Sequence, residues 1–150
     1  MILTRETLKN QGLKIDIGLT DNELDKVIND AELLVVVPMI GFHQYGQILG
    51  YSESDPRLVG GGYTKGDETF YIAGLHRAIS YIAYAYLLLD DICASSFGSV
   101  RKKDDYSENV DAYEEARRHF ASGIEHIRQL ANIEGWNVNA VSTPFNEKAF

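Results

Sequence analysis

Apolar residues recur along most of the chain with the 3-4 spacing of a helix face, broken at a few glycines and one proline. Thr4 is placed to cap a short first helix, with Leu8 as its apolar anchor and Gly12 at its end. Thr20-Asp21-Asn22-Glu23 is a capping box, and Leu24, Val27, Ile28, Ala31 and Leu34 follow it as one apolar line. Three valines and Pro38 then predict a break, because proline lacks an amide proton and clashes with the preceding turn. Pro38 can open a second helix that runs to Leu49, before Gly50. Residues 50–67 hold five glycines and read as a loop. A long helix is predicted over Glu68–Ser95 from Ile72, Leu75, Ile79, Ile82, Tyr86, Leu89 and Cys93. No charge occurs between Tyr81 and Leu89, so this helix belongs in the middle of a bundle or under a neighbouring subunit.

After Phe97-Gly98-Ser99-Val100 a loop or short β-hairpin is expected. A last helix from about Ser107 to Gly135 carries Tyr113, Ala116, Phe120, Ile124 and Ile127. Residues 136–150 lack helical period but contain Trp136, Phe145 and Phe150. The fold class expected is all-α. It is a small helical bundle over 1–135 with a long central apolar helix, one short loop or hairpin insertion, and an extended C-terminal arm over 136–150.

The 150 residues suit one domain. A formal charge of −8 argues against a tight nucleic-acid grip, which needs clustered Lys and Arg. The one basic run is Arg101-Lys102-Lys103, followed at once by Asp104-Asp105. No apolar run reaches membrane-spanning length, and Met1–Gln11 is too polar for a signal peptide. Cys93 alone permits neither a disulfide framework nor a cysteine-based zinc site.

Motifs for chemistry are sparse. Gly60-Gly61-Gly62 precedes Lys65 without phosphate-loop spacing, and neither G-x-S-x-G nor H-E-x-x-H occurs. Glu115 and His119 sit four apart, as a helical metal site would place them, but the bland reading is surface histidines beside carboxylates. Asp90 and Asp91 are the only acids within the apolar helix and sit where its dipole opposes them. They suit either a cation or acid–base site or, more plainly, partners for an Arg or Tyr at a subunit interface. Tyr71, Tyr81, Tyr84 and Tyr86 on the same helix favour assembly over catalysis, since tyrosine is enriched at interfaces. No catalytic residue, cofactor or metal follows from these patterns.

Segment order then becomes informative. A capped acidic helix with Ala31-Glu32 leads to Pro38-Met39-Ile40-Gly41, Tyr45 and Leu49. The long apolar helix, Phe97-Gly98-Ser99-Val100-Arg101-Lys102, and a closing helix with Tyr113, Arg117 and Phe120 follow. Over residues 4–135 this resembles the head–tail connector (adaptor) proteins of tailed bacteriophages, in the version common among phages of Bacteroides-type gut bacteria. The resemblance implies a homo-oligomeric ring, usually of twelve copies, at the head–tail junction of the virion. Such a ring meets the portal protein and a tail or stopper protein, and DNA passes through its channel without specific binding. On that reading Phe97, Val100, Arg101, Lys102, Lys103, Trp136, Phe145 and Phe150 are partner contacts, and Tyr81, Tyr84, Asp90 and Asp91 lie at the subunit interface. Removing the arm should then leave a folded domain that assembles poorly. The competing expectation is a small helical enzyme or ligand-binding bundle that uses Asp90, Asp91 and His76.

Overall fold

The computed structural model describes the backbone of residues 1–97 and 103–145, and the side chains of 1–90 and 110–145. Thr4 caps α1 (Arg5–Lys9) by accepting the Thr7 amide at 3.1 Å. The capping box forms at α2 (Asp21–Asp30): Thr20 Oγ1 accepts the Glu23 amide at 3.2 Å, and Glu23 accepts the Thr20 amide at 2.8 Å. Pro38 does not break the chain as expected. Helical backbone continues through a π-helical segment, Ala31–Val36, into α3 (Val37–Ile40). The Val37 amide there reaches back five residues to the Glu32 carbonyl, and this wider turn takes up the proline that an α-helix would reject. The inward line moves to Val35, while Leu34 is left exposed. The break comes at Gly41, whose φ of 89° ends the run before α4 (Phe42–Leu49).

Residues 50–72 depart most from expectation. Asp55 caps α5 (Pro56–Val59), and Gly61–Lys65 (β1) pairs antiparallel with Glu68–Ile72 (β2) across a turn at Gly66-Asp67. The long helix α6 therefore begins at Leu75, and Ile72 belongs to a strand. Thr69, Phe70, Tyr71 and Ile72 are β-favouring residues, and Gly74, at φ +85°, separates them from the helix. At the neck of the hairpin, Gly60 and Gly74 pack backbone to backbone. A Cβ at Gly60 would meet the Ala73 carbonyl at 2.5 Å, and one at Gly74 would meet Leu58 O at 2.5 Å. The fold is thus mostly helical with one two-stranded sheet rather than all-α, and its hairpin lies at 61–72. The hairpin expected after Phe97 falls largely outside the described residues.

The spine is the antiparallel pair α6 (Leu75–Phe97) and α7 (Lys103–Glu134). Ala78, Ile79, Ser80, Ile82, Ala83, Tyr84 and Ala85 are all buried, so α6 is enclosed on nearly every side. Its cover comes from its own chain: α7 on one flank, and α1, α2, the π segment and α5 on the others. The helices approach closely at Gly123, where an added Cβ would lie 2.6 Å from the Ala78 carbonyl and 2.7 Å from Ile82. Each apolar side chain buried in this seam contributes about 25 cal/mol per Å² removed from water.

Residues 136–145 are extended, as their aperiodic sequence implies, but they lie back on the bundle. Asn139 donates its amide to Met39 O at 2.9 Å and its side chain to Pro38 O at 3.3 Å. Val141 and Phe145 are buried, and the Phe145 ring meets Tyr113 and Phe120 edge-on, each at 5.4 Å.

Candidate functional site

The sequence places one acid inside the apolar run 31–40, and the fold turns it inward. Glu32 is fully buried, and its carboxylate accepts the Ile2 amide at 2.6 Å, the Leu3 amide at 2.9 Å and the Tyr45 hydroxyl at 2.7 Å. Three donors are what a carboxylate withdrawn from water requires. Burial, reinforced by the bond to Glu32, pushes the Tyr45 hydroxyl well above the ordinary tyrosine range. His76, on the first turn of α6, sits beside this cluster. Burial pulls its imidazole below the usual histidine range, while the Glu32 charge and a hydrogen bond to the Ile2 backbone oppose that shift.

Above the cluster opens a groove of about 700 Å³. Its walls are contributed by residues 1–11, the end of α4, α5 and His76. Ile48 and Leu58 form buried wall, whereas Met1, Leu49 and Val59 are about half exposed. Glu6 and Glu53 stand among the lining residues, and no Lys or Arg does. The groove is lined about equally by polar and apolar surface, with acidic side chains as its charged ones, and its volume is in the range of ligand pockets.

A second polar knot fastens the hairpin. Arg57 holds Asp55 through two nitrogens at 3.0 and 2.8 Å, stacks 3.8 Å over the Tyr51 ring, and lies 3.6 Å from Glu134. Lys65 also binds Glu134, at 3.1 Å, and the Tyr63 hydroxyl donates to it. The Arg57 guanidinium keeps the Asp55 carboxyl below the usual carboxylate range. Each of these groups is consumed by a partner, so the knot joins β1 to the end of α7 rather than offering a reactive group.

The residues singled out from sequence scatter. Tyr84 is buried edge-on against His119 at 5.0 Å, and Tyr81 lies between His119 and His126 at 5.3 and 6.0 Å. Both rings meet histidines of α7 in their own chain. His119 spends Nδ1 on the Glu115 carbonyl at 2.9 Å. Asp90 is exposed beside Lys26, 3.5 Å away, and its charge is the main cause that raises the Lys26 pKa. His76 is fourteen residues earlier on α6, roughly 21 Å along the axis, so the two do not share a site. Phe145, expected at a partner, is in the core, and Trp136 is half buried on the flank of α7 beside Arg128 and Asn132. Val100, Arg101, Lys102 and Phe150 lie outside the described residues, as do the side chains of Asp91, Phe97 and Lys103.

Glu32, Tyr45, Glu6 and Glu53 escaped sequence reasoning. For Glu32 a signal existed, a lone acid between Ala31 and Leu33 in an otherwise apolar run; for the groove acids there was none. Among the described residues no three His, Cys, Asp or Glu side chains gather as metal ligands, and no helix is long and apolar enough to cross a membrane. No family model, curated protein or solved structure matches the chain.

Proposed function

We propose that the chain is a structural virion subunit, a head–tail connector whose copies form a ring between the portal and the tail and extend the DNA channel. The observation that carries the reading is apolar surface that the fold leaves uncovered. Leu33, Leu34 and Phe42 are 50%, 56% and 77% exposed within ten residues of chain, and Met1, Leu49 and Val59 edge the groove. Clustered exposure of this kind marks surfaces that meet other proteins. The order of segments supplies the type of assembly, through its resemblance to connector proteins. The acidic balance suits a channel wall that repels phosphates as DNA slides past.

Size-exclusion chromatography with light scattering, with and without portal protein, tests the proposal. Mass spectrometry of purified virions is its complement. A ring that binds portal, and peptides of this chain in the virion, are the expected results. A strict monomer that ignores portal and is missing from virions would sink the reading. The rival small-molecule or metal-binding bundle would have to be built at His76 without Asp90, and no described carboxylate but Glu32 is coupled to that imidazole.

A further inference from the structure

The two ends of α6 differ in character, one by the groove beside it and the other by the sequence that follows it. At its first turn lies the groove, apolar along Ile48, Leu49, Leu58 and Val59 and flanked by Glu6 and Glu53. Both of these glutamates are exposed, and neither enters an ion pair among the described residues. At its far end the chain passes from Phe97 to Lys103, and the sequence there offers two apolar residues, Phe97 and Val100, followed by Arg101-Lys102-Lys103. That is the chain's one run of three basic residues, and it complements the groove in both respects. Asp104 and Asp105 follow it in sequence and offset part of that charge.

A chain cannot make this match with itself. Phe97 is 21 residues beyond His76, roughly 32 Å along the axis. Five linking residues tied to helices at both ends span at most roughly 18 Å when fully extended. We propose that the groove receives the Phe97–Lys103 segment of a second copy of this chain. One end of each molecule then docks on the other end of the next. Such a heterologous contact propagates and closes into a ring when the rotation allows. Closure is the part that rests on the connector reading, whereas the docking rests on the groove and the basic run. A segment this short buries less than the ~800 Å² per partner of a stable pair, so pairwise association is weak and a closed ring is held by its multiplicity.

Sedimentation velocity of the full-length chain, with far-UV melts as the folding control, tests the docking. Glu6→Lys with Glu53→Lys reverses the groove, and Lys102→Glu with Lys103→Glu reverses the segment. Each set should weaken self-association about tenfold or more, and a chain carrying both sets should recover it. Mixing the groove-reversed chain with the segment-reversed chain should restore assembly with the two chains alternating, because the wild-type segment fits the wild-type groove and the reversed segment fits the reversed groove. Failure of the double set to recover association, or a mixture that stays monomeric, overturns the docking. Wild-type rings that persist in the groove-reversed chain overturn it as well but leave the connector reading standing. A wild-type chain that is monomeric even with portal present removes both.

Discussion

Replacing Glu32 by Gln tests whether one buried carboxylate organises the N-terminal end of the fold. Two of its three donors, the Ile2 amide and the Tyr45 hydroxyl, converge on Oε1, while the Leu3 amide points at Oε2. A glutamine can keep its oxygen toward the first two. Its NH2 then faces the Leu3 amide, donor against donor. An unsatisfied buried donor costs about 1–3 kcal/mol, and the two surviving bonds lose their charge assistance, about 1 kcal/mol each. Because a neutral amide is cheaper to desolvate than a carboxylate, part of this is offset. The expected net loss is roughly 2–3 kcal/mol, or about 5–10 °C in Tm for a domain of this size. Urea unfolding followed by circular dichroism measures it, and hydrogen exchange at Ile2 and Leu3 localises it. A double-mutant cycle with Tyr45→Phe should give a coupling energy of about 1 kcal/mol. If Glu32→Gln melts with the wild type and the Leu3 amide stays protected, the account of this cluster is wrong.

Gly123→Ala should destabilise by about 1–3 kcal/mol, since the new methyl meets a backbone carbonyl that cannot yield. Gly46→Ala in α4, with nothing within 4 Å, should instead stabilise by up to about 1 kcal/mol, and paired urea melts compare the two. Deleting residues 136–150 should cost stability rather than leave the domain intact, because it uncovers Tyr113 and Phe120; Phe145→Ala alone should cost about 3 kcal/mol in the same assay. At alkaline pH the tyrosines set the trend. Burial is the main cause that pushes Tyr63 and Tyr86 up to about 12, whereas an unfolded tyrosine ionises near 10. Their stabilisation is therefore complete below about pH 10 and is lost as pH rises towards 12, which urea midpoints combined with tyrosinate absorbance would detect. A urea midpoint that stays flat across that window would refute the assignment.

The elements written locally were readable. Thr4 and the Thr20–Glu23 box form where their spacing puts them, and the apolar lines of α6 and α7 become the seam. The hairpin was hidden because Ile72 stands three residues before Leu75, in phase with the helix line, although the residues between belong to a strand end and the Gly74 turn. Pro38 misled for the opposite reason: the local rule is sound, but a π turn satisfies it without a break. The partners that Tyr45, Tyr51, Tyr63 and Tyr84 find within the chain, Glu32, Arg57, Glu134 and His119, were not legible. Those partners lie 6 to 71 positions away in sequence, too far for periodicity to pair them. The groove is more remote still, since its walls come from four separate stretches.

The π turn also sets what kinds of change this stretch tolerates. Residues 31–36 hold one residue more per turn than an α-helix would, and everything after them is phased accordingly. Removing a single residue here would regularise the helix with Met39 and Ile40 still facing the core, but Pro38 would then sit in an α turn, where its ring meets the carbonyl four residues before it. Among relatives of this chain, residue identities between Ala31 and Val36 should therefore drift more freely than the spacing between Glu32 and Pro38.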